Sequence, residues 1–421
     1  MAEVALTQVQ PKVRSRQSLI AGCISLVCAA LLFIMGLNTT GEVSTFVLTS
    51  QRAGVTIAAP DLELPTNISL YVLALLPAFL GVYQIMSGSK RTALFVGLST
   101  ASLVVGFLVW ATHGQSLNLT GMLVSSIIRA TPIAFAALAG IYSERSGVVN
   151  IGIEGMMLVG AFVSVVVASL TQSLILGVLA GMLAGVVMGL LHAVLSIKYM
   201  VNQIISGTVT IILGLGITSY LTRLVLDVSP NFNTPPSTIP SLQVWGLWRI
   251  PVIGPVVFNQ SSLIYLLWLM LIFTQILFYK TRCGLRVRSV GEHPKAADTL
   301  GINVFRTRYI SVLLSGAIAG LAGTYISLGV AGMFTEGISA GKGFLGLAAM
   351  IFGNWNPGGA YMCALIFGFF DSWQEKLTIL QLGIPVELLG MAPYIATMIV
   401  LAGFVGRSRM PAADGTPYKK E

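Results

Sequence analysis

The chain has 421 residues, 55% of them hydrophobic and only 9% charged, with a mean hydropathy of +0.86. Soluble domains carry about a quarter charged residues, so this composition excludes an ordinary soluble protein and points to a polytopic membrane protein surrounded by lipid. The net charge of +9 sits in short loops and is not interleaved with aromatic residues on any element; it orients the chain in a bilayer and does not suggest a nucleic-acid partner.

At the N-terminus Lys12, Arg14 and Arg16 precede an apolar run from Ser18 to Leu37 that is long enough to cross and lacks an A-x-A site, so it reads as an uncleaved helix. Residues 38–66, with Glu42, Asp61 and Glu63, suit an external loop. Spans are expected at 67–86 and 93–111 around a turn holding Lys90 and Arg91, which makes residues 1–120 an added three-span module. The core, residues 121–406, opens with a span containing Arg129, which has an acid to pair with or an interface to reach. A polar break, YSERSGVVNIGIEG, follows, then spans near 155–170, 174–196, 201–221 and 261–279. Residues 222–260, rich in Pro, Asn and Trp, read as an external cap with Trp245 and Trp248 at the interface.

The stretch Lys280 to Arg308 is the longest run that combines dense charge with a helix signal, and a basic loop between spans resists translocation. Pro294 suits a first helical position and Gly301 a left-handed helix end, which predicts one short helix, PKAADTL. A span at 309–330 comes next, then a glycine-rich region read as a short helix near 343–354 and a full one near 357–373. A last span at 387–406 leads to a tail, 407–421, carrying Arg407, Arg409, Lys419 and Lys420. This arrangement places both termini in the cytoplasm and gives an all-α bundle of about 10 to 12 spans. The breaks around Asn150–Gly155 and Gly343–Gly359 lie about 200 residues apart, each between apolar spans, a weak internal repeat of the kind that marks a substrate path in transporters. Broken backbone at membrane depth requires protein or a wet cavity around it.

The run Glu144-Arg145-Ser146-Gly147-Val148-Val149-Asn150-Ile151-Gly152-Ile153-Glu154-Gly155-Met156-Met157, with Gly160-Ala161-Phe162, closely resembles the signature of permeases in bacterial ABC importers for ribose-like sugars and nucleosides, most of all the nucleoside branch. Asn202-Gln203-Ile204-Ile205-Ser206-Gly207 agrees, as do Gly284-Leu285-Arg286 and Val290-Gly291-Glu292-His293-Pro294, although His293 stands where relatives more often have Asn. The resemblance covers roughly residues 121–406. It implies a non-enzymatic translocation subunit in the bacterial cell membrane. Its partners would be a second permease in a heterodimer, two ABC ATPase subunits or domains that carry ATP and magnesium, and an external substrate-binding lipoprotein. The residues agree that ATP chemistry lies elsewhere: the nearest P-loop string, Glu336 to Gly343, has Glu first and Gly last where Gly and Ser or Thr are needed.

With that resemblance, PKAADTL becomes a coupling helix that docks on the ATPase, against the plainer reading of a capped surface turn. Arg286, Arg288, Glu292 and Lys295 would orient it by their charges, Pro294 and Gly301 would bound it, Ala296, Ala297 and Leu300 would pack, and His293 belongs to the same coupling surface. For the substrate path, Asn150, Glu154, Asn202, Gln203, Asn354 and Asn356 offer hydrogen bonds, and Phe344 and Trp355 offer ring faces. Glu154 could equally cap a helix start, and the amides could join helices. Cys23, Cys28, Cys283 and Cys363 have no disulfide or metal spacing, and His113, His192 and His293 are scattered, so no metal, cofactor or catalytic set is expected in this chain. The competing class is an ion-coupled secondary carrier of a neutral polar solute. It would place carboxylates inside spans, where Glu154 stands, with Asp371 and Glu375 near a helix end.

Overall fold

Long apolar runs punctuated by Gly, Pro or charge become helices throughout the computed structural model, which describes residues 16–39, 41–49, 59–89, 91–380, 391 and 409–420. Lys12, Arg14, Lys90, Arg407 and the expected last span at 387–406 lie outside the described residues, apart from Met391. The described residues fall in two compact units, the first within Met1–Leu48, Ala59–Leu119 and Lys376–Gly406, the second within Thr49–Ala58, Thr120–Glu375 and Arg407–Glu421.

In the first unit α1 (Arg16–Leu37), α2 (Thr66–Ser87) and α3 (Thr92–Ala111) pack side by side. Without water to drive them together, such helices associate through small residues and hydroxyl pairs. Here Ser99 donates to Ser25 at 2.9 Å, Gln84 donates to Ser18 at 3.0 Å, and Leu32 fills the space beside Gly106. The outer faces stay apolar and exposed, as at Leu75 and Phe79, both 68% exposed, which suits lipid. Within the expected loop 38–66 the described residues contribute two strands to a small sheet: β1 (Val43–Val47) pairs antiparallel with β2 (Leu62–Pro65) and parallel with β3 (Ser116–Asn118). Ser44, on β1, ties the sheet to the bundle through Thr66 and the Val109 carbonyl, each at 2.7 Å.

The second unit holds α4 (Leu119–Glu144), α5 (Ile153–Thr171), α6 (Leu174–Ala193), α7 (Gln203–Leu221) and α8 (Ser262–Lys280). The two-stranded ribbon β4 (Ser241–Gln243) and β5 (Asn259–Ser261) lies between α7 and α8, in the expected cap. Trp245 there is 96% exposed, while Arg249 stacks over Trp248 at 5.3 Å. Beyond α8 come α9 (Arg282–Glu292), α10 (Pro294–Thr299), α11 (Val304–Thr324), α12 (Lys342–Phe352) and α13 (Pro357–Ile379). Among the described residues nine helices are long and apolar enough to cross a membrane. The core is the tight crossing of α5, α6 and α11. Gly177, Gly181, Gly185 and Gly189 recur every fourth residue on α6; the last three meet Gly316 and Gly320 of α11 and Gly177 meets the Ser164 carbonyl of α5, so a side chain at any of them would crowd facing backbone.

Two features depart from the sequence pattern. The basic loop contains two helices where one was expected, because α9 carries its charges outward and buries only Gly284, Val290 and Gly291. In addition, α6, α7 and α11 each finish in a wider π turn, at Val194–Lys198, Thr222–Leu226 and Tyr325–Ala331. Apolar periodicity does not register such a widening.

Candidate functional site

The two interruptions that the sequence pairs meet in space. After α4 the chain turns through Arg145–Gly152, and between α12 and α13 it turns at Asn354 and Trp355, both in left-handed conformation with φ of 57° and 52°. Trp355 is 3% exposed, its indole N–H donates to Glu144 at 2.6 Å, and its carbonyl accepts from Arg145 at 3.0 and 3.1 Å. The Arg145 guanidinium also reaches the Tyr279 hydroxyl at 3.0 Å. Trp355 is therefore a joint between the breaks with its ring face covered.

Glu154 makes the second joint. It sits in the first turn of α5, 5% exposed, and its carboxylate accepts from the Ser339 hydroxyl and from the N–H groups of Gly341 at 2.9 Å and Gly343 at 2.6 Å. An anion is favoured at a helix start, where backbone donors lack partners. The helix start that Glu154 satisfies is that of the half-length α12, and both carboxylate oxygens are engaged.

Asn150 and Gln203 belong to a buried polar knot. Asn150 donates to Ser315 at 3.0 Å, Gln203 accepts from the Val149 N–H at 2.7 Å, and His192 bridges Ser206 and the Val149 carbonyl, each at 3.0 Å. The Asn150 Oδ1 and Gln203 Nε2 atoms have no partner. The remaining path candidates are dispersed. Asn202 caps α7 through the N–H of Ile204, Asn356 accepts from Gly358 and Gly359, Asn354 accepts from the Arg409 N–H at 2.8 Å, and Phe344 is 47% exposed. Arg129 is paired, to Asp371 at 3.1 Å and to Glu375 at 2.9 Å. The acids named for an ion relay are thus held by a fixed cation or by backbone donors.

The α9–α10 platform lies against the first break. Gly147, with φ of 85°, takes a left-handed turn that also brings it under Gly291 and the tail; a Cβ there would come within 2.9 Å of the Arg308 guanidinium and 3.1 Å of the Ala413 carbonyl. A side chain at Gly291 would collide with the Arg145 carbonyl. α10 starts as expected: Pro294 is first, the His293 ring nitrogen Nδ1 accepts from the Ala296 N–H at 3.2 Å, and Gly301 ends the turn with φ of 79°. Ala297 faces inward, 2% exposed, in a cluster with Val290, Val304 and Tyr418. Lys295, Ala296 and Leu300 are exposed, Leu300 to 80%. Arg288 lies over the Tyr279 ring at 5.1 Å, and Glu292 accepts from the Ala412 N–H at 3.2 Å.

The tail was read from sequence only as a mark of orientation, yet it straps this platform. The Ala413 N–H donates to the Gly291 carbonyl at 2.9 Å, Arg308 donates to the Thr416 carbonyl at 3.0 Å, and Lys420 pairs with Asp298 at 3.5 Å. Tyr418 is buried beside Phe305. Asp414 is buried next to Glu144 and Arg308. Burial pushes its carboxyl up to about 7, against the pull of the Glu144 contact, the Gly415 N–H and the Arg308 charge. Sequence reasoning gave no role to Glu144, Arg145, Gly147, Ser339, Arg308, Asp414 or Tyr418; the first three do stand inside the quoted signature.

Residues 122–403 match the family described as branched-chain amino acid transport system / permease component. The chain is 40% identical over 305 residues to a guanosine ABC transporter permease protein of Bacillus subtilis, covering 70% of this chain and 95% of that one. It is also 40% identical over 313 residues to a nucleoside ABC transporter permease protein of Lactococcus lactis, covering 71% and 96%. A putative glucose ABC transporter permease protein of Haloferax volcanii is 31% identical over 325 residues, covering 72% and 98%. No solved structure matches the chain. With its matched region holding both breaks, the α9–α10 platform and most of the bundle, the chain belongs to the branched-chain amino acid transport system permease family.

Proposed function

We propose that this chain is the translocation subunit of an ATP-driven importer of nucleosides, with α10 as the helix through which a separate ATPase drives it. The observation that carries the coupling reading is the direct stacking of the α9 end on the first break: Gly291 against the Arg145 carbonyl, with Arg145 holding Trp355 at the second break. A push on α10 has a rigid route through α9 to both breaks. The exposed Lys295, Ala296 and Leu300 would meet the ATPase, while Ala297, Val290 and Tyr418 keep the platform stiff.

ATP and magnesium would be held by that partner, since the chain carries no phosphate-binding loop string. A second permease, making a heterodimer, and an external binding lipoprotein complete the proposed assembly, with the basic α8–α11 end and both termini in the cytoplasm. The nucleoside assignment rests on two relatives at 40% identity; the relative described as a glucose permease stands at 31%. Asn150, Gln203, Asn202, Phe344, Asn354 and Asn356 stay as candidates for solute contact, with the unpartnered Asn150 Oδ1 and Gln203 Nε2 the strongest pair. Glu154 and Trp355 are proposed as joints at the path's edge.

The test is uptake of labelled guanosine and glucose in cells deleted for this chain, with and without the restored gene, and in energised vesicles treated with an ionophore. Restored guanosine uptake that survives collapse of the ion gradient supports the proposal. Uptake that collapses with the gradient while ATP is held constant would contradict it.

A further inference from the structure

At the end of the bundle that carries the platform, α8, α9 and α11 enclose an open groove of about 1160 Å³. Three arginines, Arg282, Arg286 and Arg306, line its mouth, and no acid lines it. Among the described residues none of the three has an ion pair. Farther along α11 the wall is mainly apolar, with Leu277 on α8 and Ile310 and Leu314 on α11, the last two 49% and 44% exposed, interrupted by Thr307 and Ser311. Leu314 lies ten residues beyond Val304, the first residue of α11, roughly 15 Å along the axis at 1.5 Å per residue, so the wall reaches acyl-chain depth.

We propose that this groove binds an anionic phospholipid, its phosphate held by Arg282, Arg286 and Arg306 and an acyl chain laid along Leu277, Ile310 and Leu314. Guanidinium forks match phosphate oxygens in pairs, and basic pockets between spans collect anionic headgroups. A free nucleotide or phosphate would use the arginines and leave the apolar wall empty. The groove shares Arg286 and Leu300 with the platform, so a bound lipid would also brace the α9–α10 corner from the membrane side.

The experiment is native mass spectrometry of the full-length chain in neutral detergent, supplied with phosphatidylglycerol or phosphatidylcholine. Phosphatidylglycerol should be retained in clear preference to phosphatidylcholine, and millimolar inorganic phosphate should not displace it. Each surface arginine contributes roughly fivefold, so the triple variant R282Q/R286Q/R306Q should lose at least about tenfold in retention. The triple lysine variant should keep most of it, and a control altered at Arg223 and Arg249, outside the groove, should match the wild type. Leu314→Trp, with the arginines intact, should also lose lipid. Equal retention of both lipids, displacement by phosphate, or a glutamine triple or Leu314→Trp that binds like wild type would each overturn the proposal. The readout uses this chain alone, so its failure would leave the coupling reading untouched.

Discussion

Glu154 shows how far a single residue can be read from sequence. A carboxylate at the head of an apolar run stands out, but its three donors lie 185 to 189 positions away, and no local pattern points to them. Removing it strands Ser339, Gly341 and Gly343 in a buried site, at about 1–3 kcal/mol for each unsatisfied donor. Glu154→Ala should therefore lower the apparent thermal midpoint in detergent by several degrees, followed by tryptophan fluorescence, whereas an unchanged midpoint would contradict the capping role. Asp414 gives a pH dependence with a fixed sign. Its docked value of about 7 exceeds the ordinary 3.8, so the docked tail binds more protons than the released one. Docking is then strongest below pH 4 and weakens as pH rises toward 7. Hydrogen exchange at Ala413, corrected for its intrinsic rate, should show less protection at pH 7.5 than at pH 5.5, and Asp414→Asn should flatten that difference.

At the scale of elements, spans were legible because length and hydropathy set them: α2 and α3 run over 66–87 and 92–111 where 67–86 and 93–111 were expected. The start of α10 was legible because Pro294 and Gly301 act within one turn. The helix α9 was not, because a helix that buries little except Gly284, Val290 and Gly291 has too small an apolar face to show among three arginines. The role of Ala297 was hidden for the same reason: its partners Val304 and Tyr418 sit on α11 and on the tail. Two substitutions separate the inner and outer faces of α10. Ala297→Arg forces a long charged side chain into the cluster and should loosen both the platform and the tail, seen as lost protection at Ala413. Ala296→Arg, on the exposed face, should leave that protection as it is in wild type. The reverse outcome would mean the two faces have been assigned the wrong way round.

For the whole molecule, the two sequence interruptions form one structure, joined by Glu144 to Trp355 and by Glu154 to the start of α12. The resemblance in the Glu144–Met157 signature foresaw the family, and the matched relatives bear that out. What the letters could not convey was the stack of tail, platform and break, because each contact joins segments more than a hundred residues apart, as Arg145 does with Trp355. That stack gives the coupling account its physical content. In the proposed account, work delivered to α10 would reach both breaks through Gly291, Arg145 and Trp355, with no carboxylate relay required.

The most direct test is ATP-driven guanosine uptake and solute-stimulated ATP hydrolysis by the reconstituted assembly carrying Ala296→Arg. Disrupting a hot-spot contact at the centre of a docking surface costs about 2 kcal/mol or more. Uptake and stimulation should fall together by at least about tenfold, with membrane insertion and thermal midpoint as in wild type. Wild-type uptake and stimulation in that variant would contradict the assignment of α10 as the coupling surface.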